Sequence, residues 1–329
     1  MNNGLPEADL ELYERELPTR PQSAPVSARG QRQQPSSRAR KRRSHRSRVN
    51  TLPLVFSAAA LIIAIVALVL ALRGNKEAKS SPALLDEDEP ITFRFGSMTL
   101  TPLEGMPLNA YDKAAFSVNE KGRVTYEKDG QRSKTGIDVS SHQKDIDWRA
   151  VAADGIDFVI LRLGRRGYTE GGLFLDDTFE LNLQGALDAG LEVGVYFFSQ
   201  AITPEEAEEE ADYILEVLSG RDLTYPVAFD WESIPDDDAR TDGMDGEMTT
   251  RCAAAFCKRI KDAGYRPAVY FNQTQGYLYY DLRELTDYKL WLAEYDTAPD
   301  FYYYFDLWQY SHTGQVDGIQ GDVDLDLAF

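Results

Sequence analysis

Residues 226–235 read PVAFDWESIP, an apolar run that ends in two carboxylates on either side of a tryptophan. Val227 to Phe229 have the β-branched and aromatic character of a buried strand. Asp230 and Glu232 stand two residues apart, so on a strand they share a face, with Cα atoms about 6.5 to 7 Å apart. Two like charges at that spacing are costly. The pair is tolerated where the strand opens into solvent, or where a chemical task holds it together. Alternation turns Trp231 to the opposite face.

Working outward, strand-like and helix-like runs alternate from Thr135 onward. The strand-like runs are TGIDVS, FVILRLG, LEVGVYFFS, YPVAFDWE, RPAVYFN, KLWLAEY, FDLWQYS and DVDLDLAF, which makes eight. Between the earlier ones lie DWRAVAADG, DTFELNLQGALDAG, PEEAEEEADYILEVLSG and MTTRCAAAFCKRIKDAG, with Pro204 opening one helix and Gly190 and Gly220 closing two. The pattern predicts an α/β fold, a TIM-like (β/α)-barrel of eight strands with reduced helices in the last third, over 135–329. A doubly wound open sheet is the lesser alternative. In a barrel of this kind reactive groups collect at the C-terminal ends of the strands. Asp138 lies on the first strand, Asp230 and Glu232 end the fourth, and Asp324 is on the last, which closes against the first. Four carboxylates are thus expected around one cleft. Taken singly, each also reads as a turn or cap residue, Asp138 before Val139-Ser140-Ser141 above all.

Clustered carboxylates suit glycoside hydrolysis, in which one acid protonates the leaving oxygen and another carboxylate stabilises or attacks the sugar cation. Mutual repulsion keeps one of them protonated near neutral pH. Tyr196, Tyr270, Trp291, Tyr295, Trp308 and Tyr310 sit in or beside strand ends, where they either pack against the apolar faces of sugar rings or fill the core. The acidic stretch PDDDARTDGMDGE lacks EF-hand ligand spacing and reads as a loop or helix cap. His142 and His312 have no partners at metal-ligand spacing, so no metal or other cofactor is expected.

The segment 135–329 resembles the family 25 glycoside hydrolases, lysozymes of the Chalaropsis type. The resemblance rests on GIDVSSHQ with DW shortly after, FVILRLG, DAGLEVGVYFF, PVAFDWE, WLAEY and WQYSHTGQVDGIQGDVDLDLAF, six motifs in the family's order and spacing. It implies hydrolysis of the β-1,4 bond between N-acetylmuramic acid and N-acetylglucosamine in peptidoglycan, with retention. By position, Glu232 is similar to the family's acid/base. Asp230 matches its partner, either a nucleophile or the group that orients the substrate's acetamido. Asp138 and Asp324 match two further acidic positions, and Gln309 falls in the motif that implies contact with the sugar beside Trp308. Asp326 stands where the family often carries Asn. A barrel that binds peptidoglycan without turnover is the alternative.

The chain has 329 residues and a net charge of −19, unevenly spread. Thirteen basic against five acidic residues from Met1 to Lys76 give that segment +8 and leave −27 for the other 253. Leu52 to Leu72 is 21 residues without a charge, enough at about 1.5 Å per residue to cross a hydrocarbon core of about 30 Å. It is longer, and begins further into the chain, than the apolar part of a cleaved signal peptide. Arginines before it and acids after it place the N-terminus in the cytoplasm and the catalytic domain outside. The expected organisation is a disordered basic tail (1–50), a transmembrane helix (51–72), a linker (73–90), a small β extension (91–134) and the barrel (135–329). The arginine cluster is read as a contact for anionic lipid headgroups, with no nucleic acid expected. Cys252 and Cys257, five positions apart on one helix, are poorly placed for a disulfide.

Overall fold

The computed structural model describes residues 91–233 and 238–329. The expected tail, span and linker lie outside the described residues. Among the described residues no helix is long and apolar enough to cross a membrane.

Two small sheets come first. β1 (Phe93–Phe95) and β2 (Met98–Leu100) form a hairpin. β3 (Phe116–Val118), β4 (Val124–Lys128) and β5 (Gln131–Arg132) form an antiparallel sheet. Its last turn is Asp129-Gly130, with φ of 53° and 79° at the two positions, the positive pair that a tight hairpin requires. Both sheets pack on the flank of the larger body of strands and helices built from 134–329. Phe93 stacks on Tyr302 with centroids 4.2 Å apart, and Phe116 meets Trp308 edge-on at 5.5 Å.

The strands read from the sequence are β6 (Lys134–Val139), β7 (Phe158–Arg166), β9 (Glu192–Ser199), β10 (Val227–Trp231), β11 (Pro267–Asn272), β12 (Lys289–Ala293), β13 (Leu307–Gly314) and β14 (Val323–Ala328). They pair in the order β6-β7-β9-β10-β11-β12-β13-β14, and β14 pairs back to β6, so the sheet closes into an eight-stranded barrel. A short strand missing from the sequence reading, β8 (Leu173–Leu175), hangs antiparallel on β7. Six contacts around the barrel are parallel, but β14 runs antiparallel to both of its neighbours. Its cause is the link from β13: eight residues separate Gly314 from Val323, short of the dozen or so that a parallel crossover needs.

Period-two alternation sorts side chains to the two faces of the wall. Val159, Leu161, Val193, Val195, Val227 and Phe229 point outward and are buried under the helices. Phe158, Ile160, Ala228, Ala268, Trp291 and Leu307 point inward and form a second apolar cluster. The small residues among them make room for the large ones. A Cβ on Gly136 would lie 2.1 Å from the Phe158 ring, so only glycine there lets that ring fill the barrel, where it also stacks on Tyr225 at 4.1 Å. Each large side chain fully withdrawn from water in this way contributes about 1.5 to 3 kcal/mol.

The outer layer is set by helix chemistry. Helix Pro204–Leu218 has proline at its first position and Thr203 as N-cap, accepting from the Glu206 N–H at 3.3 Å. It turns Ala207, Ala211, Ile214 and Leu218 to the barrel, the three-to-four spacing of an amphipathic helix. Asp245 caps helix Gly246–Asp262 by accepting from Met248 N–H at 2.8 Å, so that part of the acidic stretch serves a cap. Cys252 and Cys257 are buried on this helix as free thiols. Helices thin out afterwards: Gln273–Leu278 has six residues, and a 3-10 turn, Leu282–Leu285, precedes β12.

Candidate active site

β10 stops between its two acids. Gln275 donates its side-chain amide to the Trp231 carbonyl at 2.5 Å, and Gln200 donates to the Glu232 carbonyl at 3.2 Å. These carbonyls are taken by side chains, and the strand ends at Trp231 with Glu232 just beyond it. Trp231 itself is buried on the outer side against Tyr279, with ring centroids 5.7 Å apart. Asp230 points inward and is 5% exposed; Glu232 is half-buried. Across the barrel, Asp138 near the end of β6 is register partner to Asp324 at the start of β14. Asp324 therefore reaches the mouth from the N-terminal end of its strand. It does so because that strand is reversed, a departure from the expectation that reactive groups collect at the C-terminal ends of the strands.

The mouth opens as a cleft of about 570 Å³, within the usual range for a small-molecule or oligosaccharide site. Asp138, Asp230, Glu232 and Asp324 all line it, together with Tyr196, Tyr270, Trp291, Tyr295 and Gln309. Gln309 ties this wall together. Its amide donates to Asp138 Oδ2 at 2.7 Å, and its carbonyl accepts from the Tyr270 and Tyr295 hydroxyls at 2.9 and 3.1 Å. Tyr295 is 50% exposed and lies against the His312 ring at 4.4 Å. The expected Trp308 is elsewhere: it is fully buried on the outer face, donating its indole N–H to the Glu294 carbonyl at 2.7 Å. Adjacent strand residues face opposite ways, so Gln309 and Trp308 cannot both reach the cleft. Tyr310 is likewise in the outer cluster.

Among the described residues, Arg162 is the cation that acts on Asp230. Arg162 follows Phe158 and Ile160 on the inner face of β7 and is 6% exposed. Its guanidinium donates to Asp176 at 2.8 Å and to the Ser141 hydroxyl at 2.9 Å, and stands 3.3 Å from His142 Nε2. Burial and the Arg162 charge push the His142 pKa down to about 4, so the imidazole is neutral at physiological pH. Arg162 and Asp176 carry no role in the sequence reading, although an arginine inside the apolar run FVILRLG is a legible signal. Asp176 resists the cost of burial: Arg162 and the N–H groups of Thr178 and Ser141 hold its carboxyl below the ordinary range.

Asp230 is pushed the other way. Burial raises its pKa well above the carboxylate range, the charges of Glu232 and Asp138 raise it further, and Arg162 offsets them in part. Its Oδ1 finds no hydrogen-bond partner among the described residues. A second acid of the cleft wall, Glu294, is pushed up to about 7 by burial; it accepts from the N–H groups of Asp300 and Phe301 at 2.8 and 3.1 Å and so pins that loop. Among the described residues no group of three His, Cys, Asp or Glu is arranged to hold a metal ion.

Fold and cleft together define the class: a closed eight-stranded barrel whose mouth presents paired carboxylates amid aromatic side chains. The description "glycosyl hydrolases family 25" fits residues 137–319, more than half of the chain, and the chain belongs to that family. It is 31% identical over 194 residues to the autolytic lysozyme of Clostridium acetobutylicum, covering 58% of this chain and 54% of that one. To lysozyme M1 of Streptomyces globisporus it is 30% identical over 200 residues, covering 57% and 65%. The chain thus matches about half the length of the first relative and under two thirds of the second. Among solved structures, the modular autolysin LytC of Streptococcus pneumoniae shares the fold, with a TM-score of 0.54 at 24% identity over 65% of this chain and 52% of that one.

Proposed function

We propose that this protein is a membrane-anchored muramidase that hydrolyses the β-1,4 bond between N-acetylmuramic acid and N-acetylglucosamine in peptidoglycan, with net retention. One observation carries the reading: Asp230 and Glu232 leave β10 side by side into the cleft, the first deeply buried and the second half-exposed. Burial and repulsion both favour a protonated Asp230, so the pair holds one proton in common instead of losing two. The reactive form has that proton on Glu232, the more exposed member, within reach of a glycosidic oxygen. Two lysozymes among the relatives, and a structure of LytC with a synthetic peptidoglycan ligand, support peptidoglycan as the substrate class.

In this scheme Glu232 donates its proton to the glycosidic oxygen as the C1–O bond breaks. The acetamido carbonyl oxygen of the same sugar attacks C1 from the opposite face and closes an oxazolinium ring. Asp230, with an unpartnered oxygen, accepts the amide N–H and stabilises the positive charge. Water, losing its proton to Glu232, then opens the ring at C1 on the face the leaving group vacated, which restores the configuration. A glycosyl ester trapped on Asp230 would replace this scheme with direct attack. Asp138 and Asp324 hold the sugar from the facing wall, and Tyr196, Tyr270, Trp291 and Tyr295 supply apolar packing beside Gln309.

The test is the full chain in detergent on a suspension of bacterial cell walls. The parent clears it, and Glu232→Gln lowers turnover about 10² to 10⁴-fold, the usual cost of a lost general acid, without a change in thermal unfolding. Clearing by the Gln variant at the parent rate would remove Glu232 from its role. The anchor is proposed from the uncharged run Leu52 to Leu72, with the tail cytoplasmic and the barrel outside. An alkaline carbonate wash leaves such a protein in the membrane pellet, and external protease removes the barrel from intact spheroplasts. Recovery in the wash would rule the anchor out.

A further inference from the structure

Asp326 is a carboxyl with no exposure to solvent, two residues along β14 from Asp324 and one layer deeper in the barrel. Its Oδ1 accepts the Trp291 indole N–H at 2.8 Å. Its Oδ2 finds no donor among the described residues. Among the described residues, the titratable groups that act on it most strongly are Asp138 from β6 and Asp324 from its own strand, both acids, and its charge acts in turn on Tyr310 of β13 and on Tyr225 just before β10. A carboxylate sealed among acids and phenols, with one neutral donor, costs far more than a neutral carboxyl in the same place. Burial first, and then the Asp138 charge, push its pKa well up. A protonated Asp326 has one O–H to give. Since Oδ1 is the acceptor for Trp291, the proton sits on Oδ2; Asp326 lies opposite Gly136, two residues before Asp138 on the neighbouring β6, and the acceptor within hydrogen-bond reach of its carboxyl is Asp138, which already accepts from Gln309 through Oδ2 at 2.7 Å.

We infer that Asp326 is a neutral positioning residue that donates its proton in a hydrogen bond to Asp138. The bond joins Trp291, Asp326, Asp138, Gln309 and the hydroxyls of Tyr270 and Tyr295 into one chain beneath the cleft. It fixes the carboxylate of Asp138 at the sugar-facing wall and keeps the indole of Trp291 edge-on to Tyr270, 4.8 Å away. The inference rests on the proposed glycosidase reading only for its kinetic arm.

The test has two arms on the full chain. In infrared difference spectra, parent minus Asp326→Asn, a protonated-carboxyl carbonyl band is expected at neutral pH and persists above it. Its absence overturns the inference whatever the substrate proves to be. In the kinetic arm Asp326→Asn keeps an acceptor for Trp291 and an N–H donor for Asp138, and holds kcat/KM within about threefold of the parent. Asp326→Leu, similar in size and without either function, loses about tenfold or more in kcat/KM, while circular dichroism and cooperative unfolding report that it remains folded. An Asn variant as slow as the Leu variant, or a Leu variant as fast as the parent, overturns the role. If Leu fails to fold, the infrared band and the Asn rate still decide. A parent without activity on peptidoglycan defeats the proposed function and leaves the infrared arm standing.

Discussion

Two three-residue motifs in this barrel have the same form and opposite fates. Asp230-Trp231-Glu232 ends β10, and Asp324-Leu325-Asp326 begins β14, which lies across from it in the barrel order. In both, the acids face inward and the apolar middle residue is buried in the outer hydrophobic cluster. But β10 runs toward the mouth and β14 away from it. The second acid of the first motif emerges into the cleft half-exposed, whereas the second acid of the other descends to complete burial. Strand direction leaves the second acid of one pattern at the cleft surface and carries that of the other below it; in the proposed scheme the first is the proton donor and the second a neutral support.

The cation between the two motifs offers the largest way to break this arrangement. Arg162→Leu leaves Asp176 buried without its counter-ion, and unfolding in urea, followed by tryptophan fluorescence, is expected to show a loss of about 3 to 5 kcal/mol. The sign with pH follows from the lowered pKa of Asp176. Its stabilisation is full above the ordinary carboxylate pKa and is lost as pH falls through the lower folded value, so the deficit of the variant shrinks in acid. A deficit constant with pH would mean that the arginine acts through packing instead of charge.

A smaller effect sharpens the difference. Asp230 has a raised folded pKa, so its contribution to stability is present below the unfolded carboxylate pKa and is lost as pH rises. Asp230→Asn removes that cost: it melts higher than the parent at pH 8, and the gap narrows toward pH 4, while turnover is lost. An Asn variant less stable than the parent at pH 8 would show that the ionised carboxyl is well accommodated, against the burial argument. The smallest effect belongs to the rim. Tyr295 is half-exposed, and Tyr295→Ala is expected to raise KM by a few-fold, about 1 kcal/mol of lost ring contact, with kcat little changed. An equal fall in kcat would move Tyr295 from binding to the reacting centre.

Much of this was legible in the chain because the barrel's two faces impose period two on every strand. All eight strands, the helices between the early ones and the four mouth carboxylates follow from that pattern and from its stops. What escaped depended on facts that alternation does not carry. The reversal of β14 lies in the length of its link, which is too short for a crossover. Trp308 was grouped with Gln309 although parity separates them, because aromatic character looks the same in a core and in a cleft. Arg162 was passed over as part of an apolar run, and its meaning depends on Asp176 and Ser141, brought to it by tertiary folding.

The central claim stands or falls on which bond is cut. The full chain is incubated with purified peptidoglycan, and the released fragments are reduced with borodeuteride and sequenced by mass spectrometry. Label on N-acetylmuramic acid alone, abolished in Glu232→Gln, is the predicted result. Label on N-acetylglucosamine, or no new reducing ends from a folded parent protein, would contradict it.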